Sequence, residues 1–471
     1  MNTECTREQL EFQGLGTRKV RAAFDGGHIS SDGGAVLLRE VDSRLRLTER
    51  LAECFADYRH PGFVEHSVLM LLRQRIYAIA LGYEDLNDHD ELSRDPVLAL
   101  VVGKPDVEGQ TRRREQDRGR ALASHSTLNR LERTPESLVS NNRYWRITHD
   151  ASKLEALMVE ASLDSFESVP AEIILDLDAT DDPIHGEQEG RFFHGYYGNY
   201  CYLPLYVFCG DRLLVARLRT SDRDACDGSV EVVAMVVERI RRRWPEVRIV
   251  VRGDSGFARD DLMTWCESHG VQYVLGLAKN VRLLRQLGKE LVEARDLFMA
   301  TGQAARVFSQ FQWMTKKSWT RPRRVIAKAE HLPKGPNPRF IVTNLDDAYA
   351  APKALYEDVY CARGEMENRI KEQQLDLFAD RTSSHTLRAN QLRLWFASFA
   401  YVLMSGIRRM ALQGTRMAKS TCGSIRLKLF KIGAQMTLSV RRLFIHFASA
   451  CPYHDVVFQA MDNLRRYPIR C

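Results

Sequence analysis

A change of hydrophobic period at Pro170 limits what this chain can fold into more than any other feature. After it, EIILDLD (Glu172 to Asp178) reads as a short strand, and CYLPLYVFCG and RLLVARLR predict a hairpin across Gly210-Asp211. Gly228 to Trp244 then predicts a helix, with Val233, Val236, Val237 and Ile240 on one stripe. VRIVVRGD is a further strand ending at Asp254, ARDDLMTWCESHG a second helix and QYVLGL a last strand.

Three strands, helix, strand, helix, strand is the order of a ribonuclease-H-like core, an α/β sheet with an antiparallel start. From about Val281 to Pro352 that core is interrupted by a helix, a basic strand-like segment and the strand RFIVTNL. Before Pro170 the pattern is mostly helical, as in VLMLLRQRIYAIALG. In LASHSTLNRLERT a helix could offer Ser126, Asn129, Arg130 and Arg133 to DNA, although a solvated surface helix reads the same way. Past Thr386 comes the apolar run LWFASFAYVLMSGI, the length of a core helix and too short to span a bilayer. In SIRLKLFKIGAQMTLSVRRL, Ile425, Leu427 and Leu429 alternate with Arg426 and Lys428, which predicts a strand or hairpin with one basic face.

A chain of 471 residues exceeds the usual single core, and 44% apolar residues suffice to build more than one. The net charge of +7 is unevenly placed. From Val402 onward twelve Lys/Arg face only Asp455 and Asp462, so the last stretch is a candidate nucleic-acid surface while the rest is slightly acidic. Ten cysteines without a C-x-x-C pair argue against structural zinc and for free thiols in a reducing compartment. The start, MNTECTREQLEF, lacks the apolar stretch of a signal peptide, so the expected location is the cytoplasm, with no membrane partner.

Acids carry the chemical signal. Asp178 closes the first core strand, and Asp254 closes the fourth between Gly253 and Gly256, at the end where open α/β sheets bind ligands. Asp176, Asp181 and Asp182 compete with Asp178, and strand period cannot separate Asp176 from it because both face the same way. CARGEMENRIKEQQLD predicts a helix. At about 100° per residue, Tyr360, Arg363, Glu367, Lys371 and Gln374 share a polar stripe beside an apolar side of Val359, Met366, Ile370 and Leu377. Glu367 is thus favoured over Glu365 and Glu372 as a third acid, though a solvated face with i,i+4 pairs has the same look. Three carboxylates from distant segments suit a pair of divalent metals in phosphodiester chemistry.

Taken together, ISSDGGAVLLRE, LASHSTLNRLE, LDLDATDD, VRGDSGF, RFIVTNL, YCARGEMENRIKE and RLKLFKIGAQ resemble the DDE transposases of bacterial insertion sequences, in the family numbered thirteen-eighty. The resemblance implies catalytic and metal-holding roles for Asp178, Asp254 and Glu367, with two Mg²⁺ ions for which Mn²⁺ may substitute. Tyr360, Arg363 and Lys371 would contact DNA or order the site, with Asn129, Arg130, Arg426 and Lys428 as further DNA contacts. The signature of the larger group of such transposases commonly has a lysine seven residues after the glutamate, where this chain has Gln374, so Lys371 is the nearest base on the stripe. The implied architecture is a helical end-binding region (1–168), a ribonuclease-H-like catalytic domain (169–385) with a β-rich insertion at about 281–352, and a basic α+β region (386–471). The implied activity is cleavage at terminal inverted repeats and strand transfer into target double-stranded DNA, by at least a homodimer, in a bacterial, nucleoid-associated setting. A nuclease without strand transfer and an inactive DNA-binding descendant are the alternatives.

Overall fold

The structure is a computed structural model, which describes residues 9–137 and 144–469. It divides into two compact units, one of residues 150–405 and the other of residues 1–149 with 406–471. The first and last parts of the chain, read from sequence as separate regions, therefore share a unit.

The middle unit is built on a nine-stranded mixed sheet. Its order runs Arg212–Arg217, Leu205–Cys209, Glu172–Ala179, Arg248–Gly253, Gln272–Leu277, Arg339–Thr343, Arg323–Leu332, Ala305–Trp313, with the short Gly335–Pro336 paired to Arg323–Leu332. The three strands Glu172–Ala179, Arg248–Gly253 and Gln272–Leu277 are parallel, and every other pairing is antiparallel. The hairpin across Gly210-Asp211 forms as the alternation predicts, with Gly210 at φ 60° where a side chain would be strained. Helices Ser229–Arg243 and Asp260–Ser268 follow the predicted order.

Each strand sends alternate residues to opposite faces. Ile173, Leu175, Leu177, Ile249 and Val251 join Val233, Val236, Val237 and Ile240 of the first of those helices in the larger core. On the other face Ile174 and Val250 pack with Val274, Ile341, Leu355 and Tyr356, and this is the face that Asp176 and Asp178 share. The segment between Val281 and Pro352 does not stand apart from the sheet. Its long strands extend the edge beyond Gln272–Leu277, and Arg323 ties them to the helix Asp260–Ser268 through Asp260 (2.6 Å) and Glu267 (2.7 Å). The run around Trp395 lies in the helix Leu387–Gly406, where Trp395, Phe396, Phe399, Tyr401 and Leu403 are buried. No described helix is long and apolar enough to cross a membrane.

The other unit contains the predicted helix Val68–Leu81, capped by Ser67, whose hydroxyl accepts from the Met70 amide. It departs from the sequence reading twice. The chain before the first helices is an exposed hairpin, Gln9–Leu15 with Arg18–Ala23, rather than helical. Arg426 and Lys428 lie on a helical turn, not a basic strand: Cys422–Ile425 is α-helical behind a Thr421 cap, and Arg426–Phe430 continues as a π-turn. The alternation misleads because Ile425 and Leu429 are i,i+4 neighbours on a buried helix face, while Leu427 is 70% exposed. A hairpin does follow, at Ala434–Leu438 and Leu443–Phe447, and it pairs with His28–Ser30.

The Gly33-Gly34 turn explains how the two ends of the chain meet. A β-carbon on Gly34 would fall 1.7 Å from the Leu429 carbonyl oxygen, and one on Gly33 would fall 2.8 Å from that of Ile432. Beside them, Asp32 pairs with Lys431 at 2.7 Å and accepts from the Tyr83 hydroxyl at 2.6 Å. ISSDGG and RLKLFKIG are thus two halves of one packed junction.

Candidate active site

Parallel pairing sets Gly253 beside Leu177, so the next residue of each strand, Asp254 and Asp178, emerges at the same end of the sheet. Asp178 is mostly buried opposite Tyr206, whereas Asp254 turns the backbone, its Oδ1 accepting from the Gly256 amide at 2.8 Å. The third acid arrives on the helix Gly364–Leu377, which is preceded without a break by a π-turn (Leu355–Tyr360) and a 3-10 turn (Cys361–Arg363). Met366, Ile370 and Leu377 are buried, as the helical phase predicts.

Arg363 holds the acids together. Its Nη2 donates to Glu367 Oε1 at 3.0 Å and its Nη1 lies 3.8 Å from Asp178 Oδ1. Burial pushes the Asp178 carboxyl up to about 7, against the pull of Arg363 and with added repulsion from Asp254 and Glu367. Burial works against the Arg363 charge as well, but the attraction of Asp178, Glu367 and Asp254 leaves the guanidinium above its ordinary range. Three carboxylates from three distant segments therefore share one field, with an arginine as their counter-charge.

The donor set suits a divalent cation, since hard carboxylate oxygens are what Mg²⁺ and Mn²⁺ take. No three acids, histidines or cysteines among the described residues stand close enough to hold a metal as they are. Arg363 lies between Asp178 and Glu367, where it balances the charge that a cation would otherwise meet.

Asp176 has a different partner. The Arg252 guanidinium grips both its carboxylate oxygens, the second at 2.8 Å, and also donates to the Val359 carbonyl. The pair is buried and fastens the π-turn to the sheet, which separates Asp176 from Asp178 where strand period does not. Asp182 is buried with its carboxyl raised by burial and by Asp380 and Asp181, while Asp181 Oδ2 accepts from Asn199 at 3.3 Å.

Tyr360 is half-buried, its hydroxyl close over Gly276, where a β-carbon would meet it at 2.6 Å. Lys371 is exposed, and Gln374 donates to the Asp181 carbonyl at 3.2 Å. The structure thus brings Asp178, Asp254, Glu367, Tyr360 and Arg363 together, with Lys371 at solvent on the same helix.

The remaining candidates belong to the other unit. Asn129 and Arg130 project from the helix His125–Glu132 and, with His125, Ser126, Tyr144 and Trp145, line a hollow of about 300 Å³. Arg130 sits 5.3 Å over the Tyr144 ring. The Arg426 guanidinium donates to the Ala80 carbonyl at 3.0 Å, a contact within the fold, and Lys428 is exposed near Tyr453.

Sequence reasoning passed over two neighbours of the acids. Arg252 stands opposite Asp176 in register, and R-x-D beside D-x-D on paired strands was the available signal. Tyr197 donates its hydroxyl to the Ala179 carbonyl at 3.3 Å, and the aromatic run RFFHGYYGNY just after the first acid strand marks it.

Residues 12–469 match the family model described as transposase DDE domain group 1. No curated protein matches. Among solved structures, the chain is similar to a piggyBac transposase in a synaptic complex with hairpin DNA, at 9% identity, over 84% of this chain and 79% of that one, with a TM-score of 0.42.

Proposed function

The chain belongs to the family of DDE transposase domains, group 1, and we propose that it cleaves the ends of a bacterial insertion sequence and joins them to target DNA, with Asp178, Asp254 and Glu367 as its catalytic carboxylates. The observation that carries this reading is the meeting of those three acids around Arg363 at one end of the sheet. The strand order, an antiparallel pair leading into three parallel strands, supports a ribonuclease-H-like core.

Asp178, Asp254 and Glu367 would hold the divalent cations. Bound Mg²⁺ or Mn²⁺ supplies Lewis acidity for the attacking and leaving oxygens of the phosphodiester. Arg363, fixed by Asp178 and Glu367, places a positive charge beside the phosphate and offsets its developing negative charge. Tyr360, whose hydroxyl lies close over Gly276, contacts the strand without forming a covalent bond to it. Water cleaves first at the element's end, and the freed 3′-hydroxyl then attacks the target in the same site. The exposed Arg130 and the partly exposed Asn129 recognise the terminal repeats, and Lys371 and Lys428 meet phosphates. Two ends must be held at once, so the active complex contains at least two copies.

The test uses purified protein, Mg²⁺, labelled element ends and a target plasmid. Joined products that disappear in Glu367→Ala are expected. Cleavage without joining would instead identify a nuclease, and undiminished cleavage by Glu367→Ala would remove the site assignment.

A further inference from the structure

Between the first acid strand and its antiparallel neighbour the chain makes a small three-stranded sheet of Asp182–Pro183, Phe192–His194 and Asn199–Tyr202. Its base is firmly set: Tyr202 is fully buried, the Ser221 hydroxyl donates to the Phe192 carbonyl at 3.0 Å, and the Glu189 amide donates to the His385 carbonyl at 2.8 Å. Its tip is the opposite. Phe192, Phe193, Tyr196 and Tyr200 are all exposed, Tyr196 at 86% and Phe193 at 58%. So many rings in water on one short hairpin is costly to solubility, and such patches mark interaction sites.

The rings are organised. Phe193 and Tyr200 pack edge to face with centroids 5.5 Å apart, Tyr196 and Tyr197 do so at 5.0 Å, and the Arg191 guanidinium carbon lies 3.9 Å from the centre of the Tyr200 ring. Arg191 also pairs with the exposed Glu187 at 2.6 Å, a surface contact that a phosphate can replace. The hairpin also reaches the acid cluster, because Tyr197 donates to the carbonyl of Ala179, the residue after Asp178. Burial, with Asp181, Asp178 and Asp254 nearby, pushes its phenol up to about 12.

We propose that this hairpin is a stacking platform for unpaired nucleobases of the DNA strand whose phosphodiester lies at the acids, with Phe193, Tyr196 and Tyr200 as the rings and Arg191 as the backbone contact. It rests on the transposase reading of those acids. Exposed rings set beside the acid cluster, with an arginine stacked at their edge, fit a strand whose bases present flat faces. Where a base beside the cleaved bond leaves the duplex stack, a ring offered there recovers the lost stacking. Sequence preference would be slight, since every base has a flat face.

The test measures fluorescence anisotropy of the full chain with labelled oligothymidylate and with a labelled duplex of equal length, at one salt concentration. Tyr196→Ala and Phe193→Ala are each expected to weaken oligothymidylate binding about 5-fold or more, the lower bound for losing one stacked ring, and to leave duplex binding nearly unchanged. Tyr196→Trp keeps a ring and is expected to restore the single-strand affinity. Absent binding of oligothymidylate by the parent chain, unchanged affinity in both alanine variants, or equal loss on both DNAs would each overturn the proposal. So would loss of self-association in sedimentation with oligothymidylate binding intact, which would make the hairpin a subunit contact. None of these outcomes bears on whether Glu367→Ala abolishes cleavage, so the two readings fail separately.

Discussion

Asp176 and Asp178 are two residues apart on one face of one strand, and the structure assigns them opposite consequences on replacement by asparagine. Asp176→Asn breaks a buried pair and leaves Arg252 charged inside the protein, which costs about 3–5 kcal/mol. In a unit of this size that lowers the melting temperature by roughly 6–20 °C. Asp178 is the reverse case, since its carboxyl is raised from 3.8 to about 7 chiefly by burial. The folded chain therefore holds that proton more tightly than the unfolded chain. Stability from this group is present below pH 3.8 and is lost as pH rises through about 7. Above that pH the charged carboxylate costs up to about 4 kcal/mol. An amide still pays for its own desolvation, so the expected gain for Asp178→Asn is about 1–2 kcal/mol at pH 8, vanishing near pH 4.

Thermal melts in chelator at the two pH values, beside cleavage assays in Mg²⁺, separate the pair. Asp176→Asn should melt early and retain cleavage below its new transition, whereas Asp178→Asn should melt late and cleave nothing. The reasoning is refuted if Asp178→Asn is the less stable of the two at pH 8, or if Asp176→Asn melts with the parent chain.

Gly34→Ala drives a methyl group into the Leu429 carbonyl, and overpacking against backbone costs about 3 kcal/mol or more, so this variant should be insoluble or open to protease in the terminal unit. Burial lowers His66 and His89 to about 3, helped at His66 by Lys104, Arg112 and Arg59 and at His89 by Arg75. The unfolded chain takes up those protons first, so each histidine should remove about 1.4 kcal/mol per pH unit as pH falls from 6.5 toward 3, a slope that denaturant titrations of His66→Gln and His89→Gln should flatten. Arg323→Ala leaves Asp260 and Glu267 without their buried partner and should cost the middle unit about 3–5 kcal/mol by urea melt, with Arg323→Lys recovering part.

The core order was legible because its strands are short apolar runs bounded by turn residues, and each helix shows one stripe. The orientation of the helix that carries Glu367 was legible for a related reason: Met366, Ile370 and Leu377 form its buried side, and the phase of one side dictates the other. Asp176 was not, because period-two geometry treats it like Asp178, and only the register with Arg252 tells them apart. Lys371 shows the limit of phase counting. It shares the stripe in angle, but it lies one turn beyond Glu367 and ends in solvent, while Gln374 turns back to the Asp181 carbonyl. The meeting of chain ends at Gly33-Gly34 was likewise hidden, because a glycine needed for a neighbour's carbonyl looks like one needed for a turn.

Arg363 connects the stability of the site with its chemistry. Three acids brought together in a partly buried place need a positive charge or a held proton, and in this arrangement an arginine from the same helix segment provides the charge. Because that charge sits at the acids' edge and is tethered by the turn Cys361–Arg363, it stabilises their approach without closing them into a finished ligand set. Asp178, Asp254 and Glu367 would hold a divalent cation with carboxylates that already stand near one another. Arg363→Ala would save the burial of a guanidinium but leave Asp178, Glu367 and Asp254 to repel one another.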